Sequence, residues 1–308
     1  MRAATTEADR DAVVPLPHLG RWVAAVVVLG LFASLIAAFA RGQIDWATVA
    51  EYLAMPVLLS GLGNTLLITF LSMLIAVALG IVFAIMRMSR NPVTNSVANL
   101  YIWFFRGTPV YLQLLLWFNL ALVFPEIDLG FWRARMVDVM TPLLAALLGL
   151  GINEGAYMTE IVRGGILSVD RGQLDAASSI GMTRMTAMQR IVLPQAMRVI
   201  VPSIGNEFIG LLKTSSMASA IAFTELLQRA QMIYFVNAKV IELLIVAAAW
   251  YLVIVTIFSI LQSLVELRFA RGQGHENPPS FMARLARNLR PGHRSGSAAV
   301  IKKEQHRG

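Results

Sequence analysis

From Val57 to Met86 the chain runs thirty residues without one ionisable side chain. A helix needs about 20 largely apolar residues to cross the hydrocarbon of a bilayer, and lipid offers the backbone no hydrogen-bond partner, so such a run folds as a spanning helix. Its first part, with Gly61, Gly63 and Asn64, is expected at the interface. Two further stretches, Trp22–Ala40 and Leu243–Val265, are also free of charge. Three more, from about Val97 to Phe124, Pro142 to Ile161 and Val199 to Phe223, are apolar but carry ionisable groups. Six such stretches, in a chain that is 57% hydrophobic and only 14% charged, predict an all-α integral membrane protein.

The same composition excludes several activities. Cysteine is absent, so no disulfide framework, thiolate metal site or cysteine nucleophile is available. The histidines, His18, His275, His293 and His306, all lie near the ends and outside every apolar stretch, so no metal site or buried histidine base is expected. The net charge of +8 sits largely in the tail after Arg268, where it suits anionic lipid rather than nucleic acid.

Basic residues precede the Trp22 stretch as they would in a secretory signal, yet its apolar run is long for one and AFARGQ makes a poor cleavage site. It reads as a retained transmembrane anchor over 22–40, after a cytoplasmic segment 1–21. Placing both termini in the cytoplasm puts 19 Lys and Arg residues inside and 5 outside, and the opposite orientation inverts that ratio. The end of the chain, 269–308, contains GQGHENPPS and PGHRSGSAA and reads as a basic cytoplasmic tail, disordered or lipid-associated.

Between Gly172 and Pro194 lies a polar, glycine-broken stretch that this orientation places in the cytoplasm. Leu174, Ala177 and Ile180 recur at helical spacing, Gly181 is suited to a left-handed cap, and Thr183 can start a second helix. Met182, Met185, Met188 and Val192 form an apolar stripe expected to pack on the membrane domain until Pro194 interrupts the helix. On the first helix Asp175, Ala176, Ala177 and Ser178 are short, which would let another protein approach its backbone; an ordinary amphipathic connector is the alternative.

Asp175-Ala176-Ala177, three residues, Gly181, nine residues, Ile191, one residue and Leu193-Pro194 resembles, at every spacing, the cytoplasmic EAA motif of ATP-binding-cassette importer permeases. Aspartate replaces the family's usual glutamate. The resemblance implies that the first helix seats in a groove of a separate ATPase subunit, with Gly172, Asp175, Ala176, Ala177, Gly181, Ile191, Leu193 and Pro194 as the coupling residues inside a cytoplasmic loop 164–198. Arg106-Gly107-Thr108-Pro109 is similar to the RGTP signature of the polar amino-acid (histidine/glutamine-type) permeases, and Ala156-Tyr157 through Glu160, Arg163 and Gly164 to their AYxxEixRg run. Leu212–Ser216 resembles their LLKxTS element, with Thr214 where aspartate is common. The resemblance covers residues 57–268 and implies a five-helix type I importer core, to which the Trp22 helix and the basic tail are additions. It further implies a second permease copy or paralogue, an extracytoplasmic solute-binding protein, and ATP and Mg used by the partner ATPase, with no cofactor on this chain.

Charges inside the bilayer need partners or water, because each costs roughly 2.5–3.5 kcal/mol at the centre. Arg106, beside Gly107 and Pro109, is expected to cap carbonyls freed by a helix break at the cytoplasmic edge. Glu160 and Arg163 are spaced for a structural ion pair. Glu154 has no cation three or four residues away on its own helix, so it faces the pathway or pairs with Lys213. A zwitterionic amino acid needs an anion for its ammonium and a cation or helix N-terminus for its carboxylate. Asn64, Thr65, Glu154, Glu207, Lys213, Thr214 and Ser215 are the candidates.

No GxxxxGK[ST] phosphate loop occurs, so this chain is not expected to be an enzyme. An ion-coupled secondary carrier would use the intramembrane carboxylates as relays, and a structural scaffold would need no coupling motif; the cytoplasmic spacing disfavours both. An importer of a different small solute is the remaining alternative.

Overall fold

The structure, a computed structural model, describes residues 19–270. Most of the expected segment 1–21 and nearly all of the tail 269–308 lie outside the described residues. The described residues are helical almost throughout, in the order α1 (Leu19–Arg41), α2 (Trp46–Leu53), α3 (Pro56–Arg87), α4 (Pro92–Gly107) and α5 (Val110–Phe118). A two-stranded antiparallel hairpin follows, β1 (Glu126–Asp128) with β2 (Arg133–Arg135), in the register Ile127 opposite Ala134. Then come α6 (Met136–Val139), α7 (Pro142–Leu167), α8 (Arg171–Ser179), α9 (Arg184–Ala187), α10 (Leu193–Thr214), α11 (Leu226–Asn237) and α12 (Val240–Ala270).

Among the described residues three helices are long and apolar enough to cross a membrane by length and composition, at Trp22–Arg41, Pro56–Arg87 and Val240–Phe269, and each contains one of the three uncharged runs. At 1.5 Å per residue α3 extends about 48 Å, longer than the hydrocarbon is thick, which fits an interfacial start. The charged stretches fold differently from a plain span. Val97–Phe124 is broken between α4 and α5, and the stretch from Val199 leaves the α-helix at Thr214 and continues as a 3₁₀ turn over Ser215–Ile221.

The chain divides into two compact units. The first takes residues up to Ala76, Trp103–Gly155 and Leu211–Val255. Its core gathers Val49 of α2, Leu58 of α3, Leu226 and Ala230 of α11, and Leu243, Val246 and Ala247 of α12. Polar clasps close this core at its rim: Trp250 Nε1 donates to Leu53 O at 3.0 Å, and the Asp45 backbone N–H donates to Glu242 Oε1 at 3.1 Å. Asp45 also caps α2, taking the Thr48 hydroxyl at 2.7 Å, and pairs with Lys239 Nζ at 3.1 Å. Glycine allows close helix approach here: a Cβ at Gly149 would come within 2.6 Å of Leu114, and one at Gly151 within 2.9 Å of Ile75.

The second unit takes Val77–Ile102, Ala156–Gly210 and the residues from Thr256. Ala84, Val162, Ala196 and Ile200 form its core, and Phe83 stacks on Tyr101 with centroids 3.9 Å apart. A Cβ at Gly80 would overlap Met158 and one at Gly165 would overlap Ile200, so small residues again set the spacing.

Pro194 does not interrupt the second cytoplasmic helix. Between α9 and α10 the backbone widens into a π-turn over Met188–Val192, and the helix continues through the proline. A proline lacks an N–H and crowds the carbonyl of the residue four before it, here Arg190; widening the ladder at that carbonyl accommodates both defects.

Candidate functional site

The cytoplasmic helix-turn-helix is assembled by its caps. Asp170 accepts the Gly172 backbone N–H at 2.6 Å to start α8, and the helix ends in a Schellman turn. Gly181 has φ +79°, its N–H reaches Ser178 O at 3.0 Å, and the Met182 N–H reaches Ala177 O at 3.0 Å. Thr183 then caps α9 through the Thr186 N–H at 3.2 Å. The left-handed cap expected at Gly181 and the cap expected at Thr183 are both present.

The outcome on α8 is an open face. Ala177 is its buried residue, whereas Gly172, Asp175, Ala176 and Ser178 are exposed and Ile180 is 77% exposed. The expected methionine stripe is only partly packed: Val192 is buried, Met182 and Met188 are half-buried, and Met185 is 66% exposed. Met185 sits on the short α9 before the π-turn resets the helical phase, so the 3.6-residue stripe does not run straight into α10. Ile191 is half-buried, while Leu193 and Pro194 are exposed at the start of α10.

At the Arg106–Pro109 stretch α4 ends at Gly107 and Pro109 caps α5. Phe105 O accepts from Asn153 Nδ2 at 2.7 Å and from Gln113 Nε2 at 3.0 Å, and Gln113 Nε2 also reaches Thr108 O at 3.1 Å. The Thr108 hydroxyl donates to Phe104 O at 2.9 Å. Neutral amides therefore meet the freed carbonyls, and Arg106 is exposed.

Glu160 pairs with Arg163 at 2.8 Å as its spacing predicts, and also with Arg87 of α3, a partner that sequence distance conceals. Glu154 and Asn153 are both buried, at 8% exposure. Lys213 is exposed and forms no ion pair with Glu154, so the pairing alternative is set aside.

The other pathway candidates divide. Asn64 Nδ2 donates to Thr224 O at 2.8 Å, and the Thr65 hydroxyl accepts the Leu226 N–H at 3.1 Å while donating to Gly61 O at 3.1 Å. Both thus hold the turn into α11. Ser215 folds its hydroxyl back to Leu212 O at 2.7 Å, Thr214 is half-buried, and Glu207 is half-buried in the second unit.

One polar residue of this turn escaped the sequence. Glu225 is fully buried as the N-cap of α11, taking the Gln228 N–H at 2.7 Å, the Leu227 N–H at 2.9 Å and the Tyr251 hydroxyl at 2.6 Å. It lies two residues past the expected end of the fifth apolar stretch at Phe223. The signal that could have found it is a carboxylate just before a new helical run, LLQRAQ.

Residues 76–271 match the family described as "Binding-protein-dependent transport system inner membrane component". The chain is 41% identical over 287 residues to the arginine transport system permease protein ArgU of Corynebacterium glutamicum, spanning 92% of this chain and 91% of that one. It is 30% identical to the glutamine transport system permease protein GlnP of Escherichia coli, over 73% of this chain and 98% of that one. Among solved structures, that of an amino acid ABC transporter with histidines is 39% identical with a TM-score of 0.65, covering 74% of this chain and 100% of the other. The chain therefore belongs to the binding-protein-dependent transport system inner membrane components, the multi-pass permease subunits of ATP-driven importers.

Proposed function

We propose that this chain is the permease through which a polar amino acid, delivered by an extracytoplasmic solute-binding protein, crosses a bacterial cytoplasmic membrane, with α8 seated in a separate ATPase subunit. The observation that carries the coupling role is the open face of α8. A short helix closed at both ends, with Asp175, Ala176 and Ile180 turned outward at the spacing of the EAA motif, offers a rigid plug of small side chains and one apolar tip. The cargo class is supported by the arginine, glutamine and amino-acid transporters to which the chain is similar.

ATP and Mg act on the ATPase, so this chain binds no cofactor. The working assembly contains two ATPase copies and a second permease, identical or paralogous, in contact with membrane lipid; nucleic acid has no part in it. Both termini face the cytoplasm, as the distribution of Lys and Arg supports. Buried Glu154 serves the pathway, with Thr214 and Ser215 as further contacts; Asn64 and Thr65 hold the turn at 224–226.

The natural absence of cysteine gives a clean test. An Ala176→Cys variant in inside-out vesicles should react with an impermeant maleimide when the permease is alone and be protected when the ATPase is bound. Equal labelling in both states, or labelling from outside intact cells, contradicts the coupling role.

A further inference from the structure

Arg229, one turn beyond the Glu225 cap on α11, has a seat prepared by glycine. A Cβ at Gly61 of α3 would come to 2.9 Å from Arg229 Cγ and 3.0 Å from Leu226 Cα, so the stem of the arginine occupies space that a larger residue would fill. The side chain is half-buried, and its Nε is enclosed without an acceptor among the described residues. Glu225 is the nearest counter-ion in sequence, but it forms no ion pair with Arg229; its oxygens take the Tyr251 hydroxyl and the Leu227 and Gln228 N–H groups.

A guanidinium presents five N–H donors in a planar fork that fits a carboxylate bidentately, and an enclosed donor without an acceptor is unfavourable. The ligand that matches is a carboxylate. We propose that Arg229 binds the α-carboxylate of the amino-acid cargo on the extracytoplasmic side of the permease. This assignment rests on the cargo and orientation given above. It replaces Lys213 as the cation for that group, because Lys213 lies in the last turn of α10 and is exposed. An acidic side chain on a docked binding protein would offer the same chemistry, and the test separates the two sources.

The permease–ATPase complex in nanodiscs, without the binding protein, is titrated with labelled L-arginine and L-glutamine, with L-argininamide as a competitor that lacks the carboxylate. Wild type should bind at least one labelled amino acid and prefer arginine over its amide at least about 10-fold. Arg229→Gln should weaken amino-acid binding about 10- to 100-fold, the range of a lost charge-assisted hydrogen bond, and remove the preference over the amide. Arg229→Lys, which keeps the charge and loses the fork, should recover part of both and remains informative if the glutamine variant does not fold. ATPase retention and an unchanged melting temperature mark the effect as local.

Wild-type affinity and preference in Arg229→Gln, or in Arg229→Lys where only that variant folds, overturn the assignment. Unchanged amino-acid binding with weakened binding-protein affinity also overturns it, by giving the carboxylate to the partner. A wild-type complex that binds no amino acid overturns the cargo reading itself, and this assignment with it.

Discussion

Asn153 donates its side-chain amide to the carbonyl of Phe105 across 2.7 Å, tying α7 to the break between α4 and α5. A helix interrupted in lipid leaves carbonyls that no water can satisfy, and tolerance of the break depends on neighbouring side chains. Gln113 meets the same oxygen from the far side of the break. The Arg106-Gly107-Thr108-Pro109 stretch is therefore held open by two amides, one local and one from another helix.

That shared oxygen makes the two amides interdependent. Asn153→Ala or Gln113→Leu alone should cost little at Phe105, because the other donor remains. Together they should remove both of these donors and cost about 1–3 kcal/mol more than the sum of the single changes. A double-mutant cycle on detergent melting curves reads this directly; strict additivity would show that the two donors do not share the load.

Gly181 closes α8 at φ +79° with open space where a Cβ would stand, so a side chain there is resisted by backbone conformation and not by a clash. The left-handed conformation costs roughly 1–2 kcal/mol for an ordinary residue and more for a β-branched one. Gly181→Val should leave the amount of protein in the membrane unchanged while lowering uptake and coupled ATP turnover about 10-fold or more. Gly181→Ala should fall between. Full activity of the valine variant would remove the need for the Schellman turn.

Glu160 joins Arg87 and Arg163, with the three side chains 23–30% exposed. Glu160→Gln would remove the charged carboxylate that pairs with both guanidinium groups. The expected loss is about 1–2 kcal/mol after allowance for partial exposure, seen as earlier thermal unfolding. Adding Arg87→Gln should cost less than it does in the wild-type background, since the charge of Glu160 is already removed.

Asp45 is held down to about 2 from 3.8, first by the Thr48 hydroxyl and backbone N–H and then by Lys239. A lowered folded-state value means that the carboxylate stabilises the fold fully above about 3.8, and that this contribution is lost as pH falls from there through 2. Wild type should lose stability against Asp45→Asn across that window, with the difference constant from pH 5 to 7. A difference that changes between pH 5 and 7 instead would place the titration on another group.

The three uncharged runs were legible because lipid permits one solution for them, and Gly181 because a glycine after a helical period has a specific backbone use. Residues whose role depends on distant partners were not. Arg87 and Glu160 are far apart in sequence and meet only after α3 and α7 pack, and Glu225 lies just past the apolar stretch that ends at Phe223. Pro194 misled for a different reason. The rule that proline stops a helix assumes an α ladder, and the π-turn before it is a tertiary adjustment that no local pattern announces. The sequence offers Thr65 as a pathway candidate for its hydroxyl alone; that this hydroxyl accepts the Leu226 N–H depends on the turn into α11, which no local pattern announces.

Whether ATP turnover drives an amino acid through this chain is tested most directly by uptake of labelled L-arginine and L-glutamine into vesicles holding the permease, its ATPase and its binding protein. One of these amino acids should accumulate only with ATP inside the compartment that contacts α8, should survive collapse of the proton gradient, and should stop in Gly181→Val. Accumulation that persists without ATP and disappears with the gradient would contradict the account.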